Sequence, residues 1–113
     1  MIDGQTYVPK GNKMAEELDG LKYVIVRTYS AGVFAGYLES KNGQEVVLRK
    51  ARRLWYWTGA FTLSQLAMEG VNKPSECKFP CEVERVELLQ AVEIIEATEK
   101  CRNSINDVKI FEV

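Results

Sequence analysis

The densest run of unusual chemistry in this 113-residue sequence is Arg52-Arg53-Leu54-Trp55-Tyr56-Trp57. As an extended strand, it would send Arg53, Trp55 and Trp57 to one face and Arg52, Leu54 and Tyr56 to the other. Flat rings stack on nucleobases, and guanidinium groups fork onto phosphates or stack on the bases themselves, so such a surface suits a nucleotide-like ligand. The tryptophans equally suit a core or a subunit interface, and both readings stand on the residues alone. A second set lies on the first apolar run, where Tyr23, Ile25, Arg27 and Tyr29 share a face opposite Val24 and Val26. There Arg27 either meets an anion or faces solvent. Phe34 and Tyr37 on the next strand extend this aromatic surface, or Phe34 enters the core. Lys100 and Arg102, with Asn103, sit near the start of the last helical segment, within reach of a phosphate or on a solvated face.

What the sequence lacks narrows the chemistry. There is no histidine, so the usual neutral-pH base, the histidine-based nucleophile arrangements and every histidine-containing zinc site are excluded. Neither a dinucleotide-binding glycine fingerprint nor a P-loop is present. The carboxylates at 82, 84, 87, 93, 96 and 99 follow the register of a solvated face. Cys77 and Cys81 flank KFP, and Cys101 stands far downstream, a pattern of free thiols rather than a metal site. With 15 basic against 16 acidic residues and a net charge of -1, nothing global attracts a long nucleic acid, and any anion site must be a local cluster. The expectation is a binding protein, not an enzyme, with no cofactor and no metal.

The elements that must position these residues follow from periodicity. KYVIVRTY and VFAGYLES read as strands around a Ser30-Ala31-Gly32 turn. Asn42-Gly43 predicts a type I′ turn into EVVLRK. ARRLWYWT, residues 51 to 58, reads as a fourth strand of a meander. Thr62 and Gln65 form a capping box for a short helix that Gly70 stops. VNKPSECKFPC reads as a loop. Residues 82 to 97 suit a helix or two strands around a tight connection, and clustered β-branched residues favour the strands. Thr98 then opens a second helix with Cys101 and Ile105 inward, and KIFEV closes the chain as an edge strand. The fold class is α+β: a small, mostly antiparallel sheet or partly open barrel with one or two short helices. Residues 1–20 read as an N-terminal arm in which only Met14 to Leu18 suit a helical turn, and 21–113 as a single β-rich domain. The opening residues carry no apolar secretion signal, and no run approaches the roughly 18–20 apolar residues of a membrane span, which predicts a cytoplasmic protein.

The blocks YVIVRTYSAGVFAGYLES, VVLRKARRLWYWTGA, LSQLAMEGV, CKFPCEVERVEL and VEIIEATEK resemble a domain family known mainly from tailed phages and prophages. That domain is similar to the first-described family of phage anti-Thoeris proteins, which sequester the cyclic ADP-ribose signal made by bacterial TIR enzymes. Some members of that family also hold cyclic trinucleotides of the CBASS pathway, and they assemble as homo-oligomers with sites between subunits. The resemblance implies a non-catalytic sponge for a cyclic nucleotide-type signal in the cytoplasm of the infected host. It assigns no ligand residue by position. Arg27, Tyr29, Arg52, Arg53, Trp55, Trp57, Lys100 and Arg102 are ligand candidates on local chemistry alone. A different expectation from the same residues is a small phage accessory module that binds a host protein or nucleic acid through its sheet.

Overall fold

Residues 13–57 and 62–112 are described by the computed structural model. β1 (Tyr23–Thr28) is the strand around which the rest is arranged. Val24 and Val26 enter one apolar cluster and Tyr23 and Ile25 the other, so β1 is buried on both faces. A run of consecutive apolar residues is what a strand covered on both sides requires. β2 (Val33–Asn42), β3 (Glu45–Arg53), β4 (Val83–Leu88) and β5 (Ala91–Glu96) complete an antiparallel sheet in the order β4-β3-β2-β1-β5. The reading of 82–97 as two strands, and the α+β class with a mostly antiparallel sheet, match this architecture.

The two edge strands, β4 and β5, are joined by Leu89 and Gln90 alone. Three Cα steps reach at most about 11 Å, so the sheet must bend until its edges converge at that end. Backbone bonds close the corner: the Gln44 carbonyl accepts from the Ala91 N–H at 3.0 Å, and the Gln90 carbonyl from the Tyr29 N–H at 2.9 Å. The inner cluster of this bent sheet holds Val24, Val26, Phe34, Val46, Leu48, Ala51, Leu88 and Ala91.

The other face is covered by α1 (Leu63–Glu69) and α2 (Glu99–Asp107). Leu66, Ala67, Cys101 and Ile105 pack from these helices onto Ile25, Ala35, Leu54 and Phe79. Both helix starts are capped as expected. The Thr62 hydroxyl accepts from the Gln65 N–H at 3.0 Å, and the Thr98 hydroxyl from the Cys101 N–H at 3.1 Å. Thr98 also donates to the Met68 carbonyl at 2.6 Å, which ties the end of α1 to the start of α2. Gly70 stops α1 at a φ of +75°, where a Cβ would run into the Ser104 side chain.

Four expectations need correction. Residues 51–53 are not a new strand but the end of β3; beyond them Leu54–Trp57 leave the sheet, with Tyr56 bridging Lys78, and Thr58 lies outside the described residues. The reason is Lys50, whose φ of +49° places a bulge in β3 and lets the chain continue without a turn. The β2–β3 turn is centred on Gly43-Gln44 rather than Asn42-Gly43: Asn42 pairs with Glu45, and Gly43 alone takes positive φ, at +62°. The Gly-first arrangement is that of a type II′ turn. KIFEV is not an edge strand; Ile110 makes one parallel bridge to Phe79. Met14 to Leu18 form no helical turn. That segment lies along the helix side instead, with the Ala15 N–H donating to the Ala97 carbonyl at 3.1 Å and the Glu99 N–H to the Lys13 carbonyl at 2.7 Å. Residues 1–12 of the expected arm are outside the described residues.

Candidate ligand-binding site

The bulge at Lys50 decides which way the two consecutive arginines point. Val46, Leu48 and Ala51 all face the inner cluster, so parity changes between 48 and 51. Arg53 therefore follows Ala51 onto the inner-cluster face, while Arg52 and Leu54 turn toward the helices. Re-aiming a side chain is a characteristic use of an extra strand residue.

Arg52 is buried, and its guanidinium is committed. Nε donates to the Pro80 carbonyl at 2.9 Å, Nη1 to Ile105 at 2.7 Å and Nη2 to Phe79 at 3.4 Å. The Ile105 carbonyl lies in the last turn of α2, where a cation also meets the negative end of the helix dipole. Burial pulls the Arg52 pKa below its ordinary value. This geometry makes Arg52 a structural clamp between sheet and helix rather than the ligand residue that its type suggested.

Arg53 is the opposite case. Its guanidinium carbon stands 4.7 Å from the centre of the Phe34 ring, an arrangement that leaves the N–H edge outward. It forms no hydrogen bond or ion pair among the described residues. Every other arginine is engaged by oxygen: Arg27 with Glu93 at 3.1 Å, Arg49 and Arg85 with Glu39 at 3.0 and 3.1 Å, and Arg102 with Glu99 at 3.9 Å. The two guanidiniums on Glu39, Arg85 foremost, hold its carboxyl below the usual carboxylate range.

Arg53 is also a wall of two cavities. One, of about 350 Å³, opens at the corner where the sheet edges converge and is lined by Ala31, Phe34, Val86, Leu89 and Gln90. The other, of about 410 Å³, is bounded by Trp55, Pro80 and Phe111. Trp55 is 61% exposed and meets the Phe111 ring at a centroid distance of 5.5 Å. Lys78 Nζ lies 5.4 Å from Phe111 and 5.7 Å from Tyr56, so a second cation borders these rings.

The remaining candidates fall elsewhere. Trp57 is half-buried and packs against the helix-side cluster, so it belongs with the core. Tyr29 is 80% exposed; its neighbour Thr28 and its backbone partner Gln90 line the first cavity, but Tyr29 itself does not. Arg27 is spent on Glu93. Lys100 and Arg102 are on α2, which starts beside Tyr23, the end of β1 away from Val33 and Phe34; they do not join Arg53. Sequence reasoning missed Phe34 as the Arg53 support, Lys78, and Phe111, which was read only as part of a strand. Among the described residues no three acidic or cysteine side chains group as a metal site. No described helix is long and apolar enough to cross a membrane.

A family model matches residues 21–105, from the approach to β1 through most of α2. The chain belongs to the DUF6948 family. Its members are domains of unknown function. No curated protein and no solved structure matches the chain. The DUF6948 match takes in Arg53, Phe34, Trp55 and the whole sheet, and stops before Phe111. One wall of the second cavity, Phe111, thus lies outside the matched region.

Proposed function

We propose that this DUF6948 domain binds an anionic, nucleotide-type small molecule and holds it without cleaving it. The observation that carries the reading is Arg53, the one arginine without an oxygen partner among the described residues, set between two cavities and beside exposed rings. A guanidinium held this way supplies charge-assisted bonds to a phosphate, and Trp55 with Phe111 supplies a stacking surface. Nothing near them supplies a histidine base, since the chain has none. Taken with the resemblance to phage anti-Thoeris proteins, the ligand class is a cyclic ADP-ribose isomer or cyclic oligonucleotide used as an immune signal, and the setting is the cytoplasm of an infected bacterium. Both cavities open to solvent, so tight retention calls for a second copy of the chain over the site.

The test is the melting temperature of the purified protein against cyclic ADP-ribose isomers and cyclic di- and trinucleotides, with Arg53→Ala and Trp55→Ala alongside. A shift of several degrees for one ligand, lost in both variants, with the ligand recovered chemically intact after denaturation, is the expected result. No shift across the panel, or conversion of the ligand, rejects the reading. A second reading, a module that docks on a host protein, is favoured by Tyr29 and Leu89, which are 80% and 65% exposed on either side of Gln90. It predicts protein capture that Leu89→Asp abolishes and Arg53→Ala leaves intact.

A further inference from the structure

Two cavities that share one guanidinium suggest something about the shape of the ligand, an inference that rests on the nucleotide-binding reading above. We infer that, within that class, the site takes a ligand with two base rings joined through a phosphate link, a dinucleotide in form, with the link at Arg53 and one ring in each cavity. Each cavity falls within the ~300–1,000 Å³ typical of small-molecule clefts. Each also has its own apolar wall: Phe34, Val86 and Leu89 in the first, Trp55, Pro80 and Phe111 in the second. A mononucleotide phosphate on Arg53 fills one of them and leaves the other wet.

The charges place that link at Arg53. Among the described residues Arg53 is the only cation lining either cavity; Glu87 lines the first and disfavours a further phosphate there, while Lys78 stands at the Phe111 ring that walls the second. The polar groups also make the two ring sites unequal. In the first cavity Gln90 has its carboxamide oxygen held by the Ser30 hydroxyl at 2.6 Å, which leaves its N–H groups to read a ring edge. The second, lined besides Arg53 by Pro80 and the rings of Trp55 and Phe111 among the described residues, takes a ring mainly by stacking. One ring is therefore selected by hydrogen bonding and the other accepted on its flat face.

Calorimetric titration of the full chain with adenosine monophosphate and with the dinucleoside monophosphate ApA tests this. ApA is expected to bind at least tenfold more tightly. Ala31→Phe, which fills the first cavity from an exposed turn, and Trp55→Ala, which removes the stacking wall of the second, should each reduce ApA to the affinity of the mononucleotide. Leu89→Ala is the milder variant of the first cavity and should lose part of the advantage while melting like wild type. Equal affinity for the two probes, both lost in Arg53→Ala, overturns the two-ring inference and leaves nucleotide binding standing. No binding of either probe to wild type overturns the two-ring inference, and only together with no shift across the cyclic panel does it overturn nucleotide binding. Affinity for oligothymidylates that keeps rising beyond two nucleotides also overturns it, because it describes an open strand track.

Discussion

Arg52 and Arg53 are adjacent in sequence, identical in type and placed on opposite faces of the same strand end. Arg52 has three backbone carbonyls within reach and no exposed charge to offer; Arg53 has a ring beneath it and solvent above. A like division separates Trp57, packed on the helix-side cluster, from Trp55, which is 61% exposed and lines a cavity with Arg53. Residue type thus marks this segment as unusual, but partner saturation decides which half of it is available to a ligand. A charge already satisfied by carbonyls would have to break those bonds to bind anything else.

The sharpest way to break the comparison is to delete each guanidinium. Arg52→Ala leaves three carbonyls short of a donor and a void under α2, and should cost about 3 kcal/mol in urea unfolding, a melting shift of roughly 10 °C or more. Arg53→Ala removes one exposed cation–π contact and should cost under about 1 kcal/mol. Equal losses would dissolve the distinction. Next in size are the tryptophans: Trp57→Ala should cost about 2 kcal/mol and Trp55→Ala about 1 kcal/mol or less. The emission of Trp55 should be the more readily quenched by acrylamide. The bulge that creates the two faces is tested at Lys50. Lys50→Val, a β-branched residue at a φ of +49°, should cost about 1–2 kcal/mol, whereas Lys50→Gly should be neutral or stabilising.

A further effect, confined to alkaline pH, concerns the cysteines. Burial on the core-facing side of α2 pushes the Cys101 thiol from its ordinary 9.0 up to about 12. Between those values the unfolded chain holds fewer protons than the folded one, so stability must fall as pH rises above 9, by about 1 kcal/mol at pH 10. The Cys101→Ala variant should show a flatter stability profile between pH 9 and 10. At pH 8 the exposed Cys81 should alkylate readily while Cys101 waits for unfolding.

Much of this architecture was legible in the residues. The β-branched run around Val24 and Val26, the β-branched cluster of 91–96, and the Thr62 and Thr98 caps each express a local preference that tertiary packing did not override. The candidate site was legible only in part. Arg53 and Trp55 line one cavity, as alternation predicts, but Trp57, placed with them by the same alternation, packs on the helix-side cluster, and the fate of Arg52 depends on carbonyls 27 to 53 residues away, which no local pattern contains. The same holds for Phe111, whose approach to Trp55 is set by how the tail crosses Phe79. Asn42-Gly43 misled for a different reason: Gly43 alone suffices for the turn, so the paired strands chose the register and shifted the turn by one residue.

The strand order has a consequence for how the molecule is made. β1 lies between β2, which follows it directly, and β5, whose first residue is Ala91. On the ribosome the hairpin of β1 and β2 can form early, but one edge of β1 stays open until the final fifth of the chain has emerged. Pairing partners so distant in sequence slow the search for the native state. The bent sheet therefore closes as a late event of synthesis, and an arrested chain that ends before β5 should present the β1 edge as a sticky surface to chaperones.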